Sequence, residues 1–193
     1  YMGEDPFLSS RMVIPYIQGV QSNGVAACVK HFALNNQEID RGHINVIIDD
    51  RALHEIYLPA FKAAVQEAGV WSIMGAYNQY KGQQCCHNQY LLNDILKRDW
   101  QFDGVVISDW GGVHNTEQAA NFGLDLEMGT WTDGLSQGKA NAYDNYYLAD
   151  PLLKKIKKEK GKIFPNDFFK NFINGFYLKK IKEKVRLAFI FKI

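Results

Sequence analysis

Three cysteines in 193 residues, two of them adjacent, are too few for a disulfide framework. Adjacent cysteines rarely bond one another and an odd count leaves a thiol over, so at most one bridge is available. Cys85-Cys86-His87 is contiguous and lacks the paired ligand spacing of a zinc site, while Cys28, inside a predicted strand, reads as a small apolar residue. No apolar run reaches the roughly 18 residues of a transmembrane helix, and no secretory signal segment is present. Gly111-Gly112 follows a strand without the lysine and hydroxyl pattern of a phosphate loop, so there is no nucleotide motif. No cofactor or metal is implied, and neither nucleic acid nor a membrane is expected as a partner.

Charge is distributed unevenly behind a formal net of +1. Residues 1–150 hold 9 Lys and Arg against 18 Asp and Glu, whereas residues 151–193 hold 13 against 3. Two pieces are therefore expected, an acidic domain over 1–150 and a basic helical segment over 151–193. Asp150-Pro151 is a good helix start, after which Leu152, Leu153 and Ile156 can pack while the lysines stay wet. Three readings of this segment stand: a solvated or damaged terminus, completion of the fold, or a surface for an acidic partner. Past Gly161 the chain is dominated by Lys, Phe, Ile and Asn, whose codons are rich in A and T. A frameshift or splice error in an AT-rich gene is one explanation, and an authentic but diverged helix over Ile181–Phe191 is the other.

Periodicity in the first piece alternates between strand and helix. Val25–Val29, Val70–Ala76 and Gly104–Ile107 are short apolar runs that read as buried strands. Between them, Ile56, Tyr57, Ala60, Phe61, Ala64, Val65 and Ala68 recur at helical spacing up to Gly69. After a turn through Lys81–Gln84, Leu91, Leu92, Ile95, Leu96 and Trp100 predict a second helix. Thr116 is the expected cap of a third helix that ends near Gly123, and Leu124–Met128 the next strand. This order predicts an α/β fold, specifically part of a (β/α)8 TIM-like barrel comprising its C-terminal strands and helices.

Chemistry gathers where those strands end. The first runs into Lys30-His31-Phe32, the second into Tyr77-Asn78, and the third into Ser108-Asp109-Trp110-Gly111. In a parallel barrel such residues face the active-site mouth. A cation, an imidazole, a phenol, a carboxylate and an indole together can hydrogen-bond and stack on a polyhydroxylated ring, so a sugar is the natural guest. Asp109 also has a plainer reading as the cap of a following helix. Lys30 has one as the partner of Glu38 or Asp40, and His31 as a satisfied core histidine. Met74, Tyr77 and Trp110 have theirs as barrel filler.

Four motifs, in order and at compatible spacing, give the chain a family likeness. Lys30-His31-Phe32-Ala33-Leu34-Asn35-Asn36-Gln37-Glu38, Asp50–Phe61, Met74-Gly75-Ala76-Tyr77-Asn78 and Ile107-Ser108-Asp109-Trp110-Gly111 resemble glycoside hydrolase family 3, the β-glucosidase group. The resemblance implies a retaining β-glycosidase acting on terminal β-linked sugars of a β-glucoside or short oligosaccharide, through a covalent glycosyl-aspartate. Asp109 matches the family's nucleophile, Lys30 and His31 the pair that holds sugar hydroxyls, Met74 and Tyr77 residues around the cleaved bond, and Trp110 a ring on which the sugar packs. Such an enzyme needs a second carboxyl about 5 to 5.5 Å from the first.

That acid/base partner is expected from a later domain, and Gly3-Glu4-Asp5-Pro6 matches a loop that follows the family's sugar-binding arginine. At 193 residues the chain is shorter than the roughly 250 of a whole barrel, so a fragment, inactive alone, is the expectation. A second branch of the family, cleaving N-acetylglucosaminides, carries an Asp-x-His dyad. Arg41-Gly42-His43 puts His43 in register and an arginine in place of the orienting aspartate. Glu38, Asp40 and Arg41 read as a network that steadies this loop, with Glu38 a remote candidate for the second carboxylate. Three classes thus remain: a β-glucosidase-like hydrolase, a non-catalytic carbohydrate-binding remnant, and an unfolded product with exposed strand edges. Oligomeric state is not specified, and localisation only weakly so, with a secreted or periplasmic setting slightly favoured over cytoplasm. Sequencing a full-length transcript tests the terminus: the error predicts a shifted frame near Gly161, and a transcript encoding this same terminus in frame would refute it.

Overall fold

The computed structural model describes residues 2–129, 146–158 and 191–192. Asp5 caps the first helix by accepting the Leu8 N–H, and Pro6 occupies a first-turn position where a missing N–H costs nothing. Helix α1 (Pro6–Gln21) buries Ser9, Val13 and Ile17 at four-residue spacing. Phe7, Leu8, Met12 and Tyr16 stay exposed on it, which blurs the apolar stripe and hides this helix from a periodicity reading.

Strand β1 covers Cys28–Phe32 rather than Val25–Val29, so Lys30 and His31 lie within the strand instead of after it. Pairing with β3 (Ser72–Gly75) carries the strand that far: Cys28 faces Ser72, Val29 faces Ile73 and Phe32 faces Gly75, with a register shift between the last two pairs. β3 in turn pairs parallel with β6 (Val105–Ile107), Met74 opposite Ile107. A two-residue strand, β7 (Phe191–Lys192), completes a sheet ordered β6-β3-β1-β7. Leu124–Met128 does not form the full strand expected; only a parallel bridge of Leu126 to Ile107 is made.

Both crossovers are helical. Asp49 caps α2 (Asp50–Ala52), a π-helical turn continues through Leu53–Tyr57, and α3 (Pro59–Gln66) follows. The wider turn, closed by Leu58 N–H to Leu53 C=O, rotates the apolar face. Ile56, predicted buried, is therefore 52% exposed, and Leu53 and Leu58 are buried in its stead. The second crossover is a π-helix over Gln89–Asp99 that buries Leu91, Leu92, Ile95 and Leu96 as predicted, its first turn capped by the Asn88 side chain. Helix α4 (Thr116–Asn121) is capped by Asn115, not Thr116, whose side chain is buried.

Helices α1, α3 and α4 and the two π-helical stretches pack on one face of the sheet, where Val29, Ile73 and Val106 meet Val13, Ile17, Phe61, Leu92 and Trp100 in one core. Phe32 anchors it, edge-on to Phe61 and Trp100 at centroid distances of 5.1 and 5.9 Å. The other face carries a smaller row, Cys28, Met74 and Ile107, one residue from each neighbouring strand. All three cysteines are free and buried.

A second small sheet joins the loops beyond the strand ends. β2 (Asn45–Val46) pairs parallel with β4 (Gln79–Tyr80), and β4 turns back into β5 (Gln83–Gln84). The turn needs positive φ at both Lys81 and Gly82, the geometry of a type I′ hairpin. Helix α5 (Asp150–Lys158) starts where predicted, with Leu152 buried and Lys155 bonded to Glu117 of α4. The Phe191–Lys192 strand departs from the helix expected at the end of the basic segment, and the rest of that expectation, 159–190, lies outside the described residues.

Asp125 shows what a buried charge requires. It is held 2.7 Å from Lys97 Nζ and accepts the Val106 N–H at 2.8 Å, yet burial still raises its carboxyl above the usual range. Lys97→Met, which strands that carboxylate, is expected to cost about 3 kcal/mol in urea unfolding at neutral pH. A loss under about 0.5 kcal/mol would mean that the pair behaves as a surface salt bridge.

Candidate active site

Parallel register sets His31, Tyr77 and Asp109 at the same end of three adjacent strands. Asp109 lies two residues past the end of β6 and is only 6% exposed. His31 Nε2 lies 3.1 Å from its Oδ2, and its Oδ1 accepts the Trp110 N–H at 2.8 Å. The Tyr77 hydroxyl donates to the Trp110 carbonyl at 2.7 Å and also reaches the carboxylate. Burial alone would raise the Asp109 pKa, but the His31 bond, the Trp110 N–H and the Tyr77 hydroxyl outweigh it and hold the group below its ordinary value. The same pocket pushes the Tyr77 phenol up, first through burial and then through the Asp109 charge, so it remains a donor. The cap reading of Asp109 does not hold: its first neighbour is its own loop, and the next helix has Asn115 as cap.

The remaining predicted residues sit around this pair. Lys30 is half-buried in β1 and its charge, with that of Asp109, acts on the Cys28 thiol. Of the carboxylates considered for Lys30, Glu38 pairs with Arg41 at 2.6 Å and Asp40 with His43 at 2.7 Å. Trp110 is 43% exposed and its ring rests on Gly129, where a Cβ would lie 2.8 Å from Cε3. Met74 is different: it packs with Cys28 and Ile107 beneath the site, as barrel filler would.

Two observations depart from the sequence reading. Arg41 stacks on the Tyr77 ring, Cζ 4.5 Å from the centroid, which brings a guanidinium to the site. Pairing of β2 with β4 delivers it, by zipping the loop after β1 onto the loop after β3. No local motif marks Arg41; its place depends on strand pairing that the sequence does not announce. His43, expected to lack an orienting carboxylate, has one in Asp40, three residues earlier rather than two. Both side chains are exposed.

A family model, the glycosyl hydrolase family 3 N terminal domain, matches residues 2–129. The chain belongs to glycosyl hydrolase family 3. Its relatives in family 3 include a β-glucosidase of Bacteroides ovatus, 60% identical over 160 residues, which are 83% of this chain and 21% of that protein. An exo-α-(1→6)-L-arabinopyranosidase of Bifidobacterium longum is 48% identical over 128 residues, 66% of this chain and 17% of that one. Among solved structures, a Streptomyces venezuelae β-glucosidase in complex with D-glucose superposes with a TM-score of 0.74 at 36% identity, covering 83% of this chain and 20% of that chain. The chain thus spans about a fifth of the length of the relatives it matches.

A cavity of about 660 Å³ is lined by His31 together with Glu4, Ser9, Asn35, Tyr57 and Phe61, and not by Asp109. His31 Nδ1 and both polar atoms of the Asn35 amide are buried without a hydrogen-bond partner among the described residues. His31 is thus tied down at one nitrogen only, the one that meets Asp109. His31→Ala is expected to raise the Asp109 titration midpoint, followed by carbon-13 NMR of its carboxyl. An unchanged midpoint would show that the imidazole does not hold the carboxylate in its charged form.

Proposed function

We propose that this chain carries the nucleophile side of a retaining β-glucosidase active site. The observation that supports it most is the ionised, buried Asp109, with one oxygen on His31 and the other on the Trp110 N–H, beside the half-open face of an indole. A carboxylate kept charged in a largely dry pocket is a competent nucleophile toward an anomeric carbon. In this reading Asp109 attacks, a glycosyl-aspartate forms, and water later releases the sugar, both steps passing through oxocarbenium-like transition states. Lys30, His31 and Arg41 bind hydroxyls, Tyr77 steadies the loop beside the carboxylate by donating to the Trp110 carbonyl, Met74 forms the floor, and Trp110 supports the ring.

The barrel belongs to the same proposal. Sequential parallel strands, helices on one face and the Cys28, Met74 and Ile107 row on the other are what an arc of a (β/α)8 barrel presents; the described part of 1–150 supplies most of it, and α5 and β7 of the basic 151–193 segment join it through Glu117 and β1. Glucosides are the favoured substrates, given the names of the relatives; the arabinopyranosidase among them argues that sugar choice is made partly outside this segment. Neither nearby candidate serves as proton donor, since Glu38 is bound by Arg41 and His43 stands with Asp40 on an exposed loop. Turnover by this chain alone is accordingly expected to be slight.

A fluorinated aryl glucoside, whose leaving group needs little protonation, should label Asp109 covalently, and Asp109→Asn should abolish the label. Persistent labelling at another residue would remove Asp109 from the role. The Asp40–His43 contact favours one second reading, an N-acetylglucosaminidase-type enzyme with His43 as acid/base. In the full-length enzyme His43→Ala is expected to leave kcat on an unactivated glucoside, whose leaving group does need a proton, within about threefold, whereas a loss of several hundredfold would support that second reading.

A further inference from the structure

Cys85-Cys86-His87 binds no metal motif and takes no part in the chemistry above, yet its three side chains are completely or almost completely buried. They form one 3-10 turn after β5 and reach three different loops. The Cys85 thiol donates to the Ala33 carbonyl and accepts from Asn78 Nδ2, both at 3.4 Å, which ties the loop after Lys30-His31-Phe32 to the end of β3. The Cys86 thiol donates to the carbonyl of Ala76, the residue before Tyr77, at 3.4 Å. His87 Nε2 accepts the His114 N–H at 3.2 Å and so holds the far end of the loop that begins at Asp109.

Cys86 is wedged between two glycines. A Cβ on Gly75 would lie 2.8 Å from Cys86 Cα, and a Cβ on Gly112 would lie 2.7 Å from its Sγ. Gly112 N–H in turn donates to the Asp109 carbonyl at 3.0 Å. One sulfur thus touches the backbone on both sides of the Tyr77 and Asp109 pair. Backbone bonds tie each loop to its own neighbours, Gly111 N–H to the Met128 and Gly129 carbonyls after β6 and Ala76 N–H to the Phe32 carbonyl after β3, whereas the sulfur touches both loops at once.

We propose that the Cys85–His87 turn is a positioning element of the active site, with Cys86 fixing the distance between the Tyr77 loop and the Asp109–Trp110 loop. Its effect on rate rests on the reading of Asp109 as nucleophile; its effect on geometry does not. Interiors are packed too closely for the sulfur to be exchanged for a larger group without moving a neighbour, and the neighbour here is the loop that carries the carboxylate.

Gly112→Ala tests this from the loop side, because the new methyl would lie 2.7 Å from the Cys86 sulfur, and Gly112→Ala/Cys86→Ala removes that contact and leaves the milder one, 3.2 Å to the Asp109 carbonyl. Gly112→Ala should slow covalent labelling of Asp109 by about tenfold or more, small misplacements of a reacting group being that costly. It should also raise the Asp109 titration midpoint measured by carbon-13 NMR, as the His31 and Trp110 hydrogen bonds lengthen. The double variant should restore most of both. Ile95→Val, an equally buried change in the remote π-helix, should lower the melting temperature and leave both readouts alone. If Gly112→Ala does not fold, Cys86→Ser and Cys86→Val decide: the first should keep the midpoint and the second raise it. A midpoint unmoved by both Gly112→Ala and Cys86→Val, or a double variant as displaced as the single one, would overturn the proposal. Should the unmodified chain resist labelling altogether, the glycosidase reading fails while the midpoint still decides the positioning one.

Discussion

The hydrogen bond between His31 and Asp109 joins the first and third strands of the sheet across the middle one, and the rest of the site is arranged around it. A carboxylate as buried as Asp109 would ordinarily pick up a proton; here an imidazole, a backbone N–H and a phenol each favour its charged form, and together they prevail. Those three donors come from three separate stretches of chain. Only the parallel register that aligns Cys28 with Ser72 and Ser72 with Val105 brings their ends level.

Once the strand ends are level, the loops beyond them need fixing, and two devices do it. The small β2-β4-β5 sheet joins the loop after β1 to the loop after β3, and places Arg41 on Tyr77. The buried 3-10 turn that follows links those two loops with the one after β6. Burial pushes the His87 imidazole down to about 4, so near neutrality it is uncharged and its Nε2 can accept a hydrogen bond. The β4-β5 hairpin of the first device and the whole of the second lie next to each other in sequence, from Gln79 to His87, and hold together residues more than 70 positions apart.

Much of this was legible beforehand because apolar runs and strand-end chemistry obey short-range rules. Val105-Val106-Ile107 announces a buried strand and Asp109 its polar end, and the π-helix residues Leu91 to Leu96 face inward as their spacing predicts. What escaped was decided by contacts distant in sequence or by departures from α-helical spacing. Ile56 turned outward because a π turn widened the helix, and Lys30 and His31 entered β1 because β3 extends its pairing that far. Thr116 lost the cap position to a neighbour equally suited to it. Arg41 and the Asp40–His43 pair depend on how one loop folds back on another, for which four residues of local sequence carry no signal.

A crystal structure of the chain with a glucose-shaped inhibitor tests the central claim most directly. The anomeric carbon is predicted to sit about 3 to 3.5 Å from an Asp109 carboxyl oxygen, with the ring against Trp110 and hydroxyls on Lys30 and His31. An inhibitor seated instead in the cavity lined by His31, Asn35 and Tyr57, with Asp109 still bonded to His31 and beyond reach of the sugar, would contradict it.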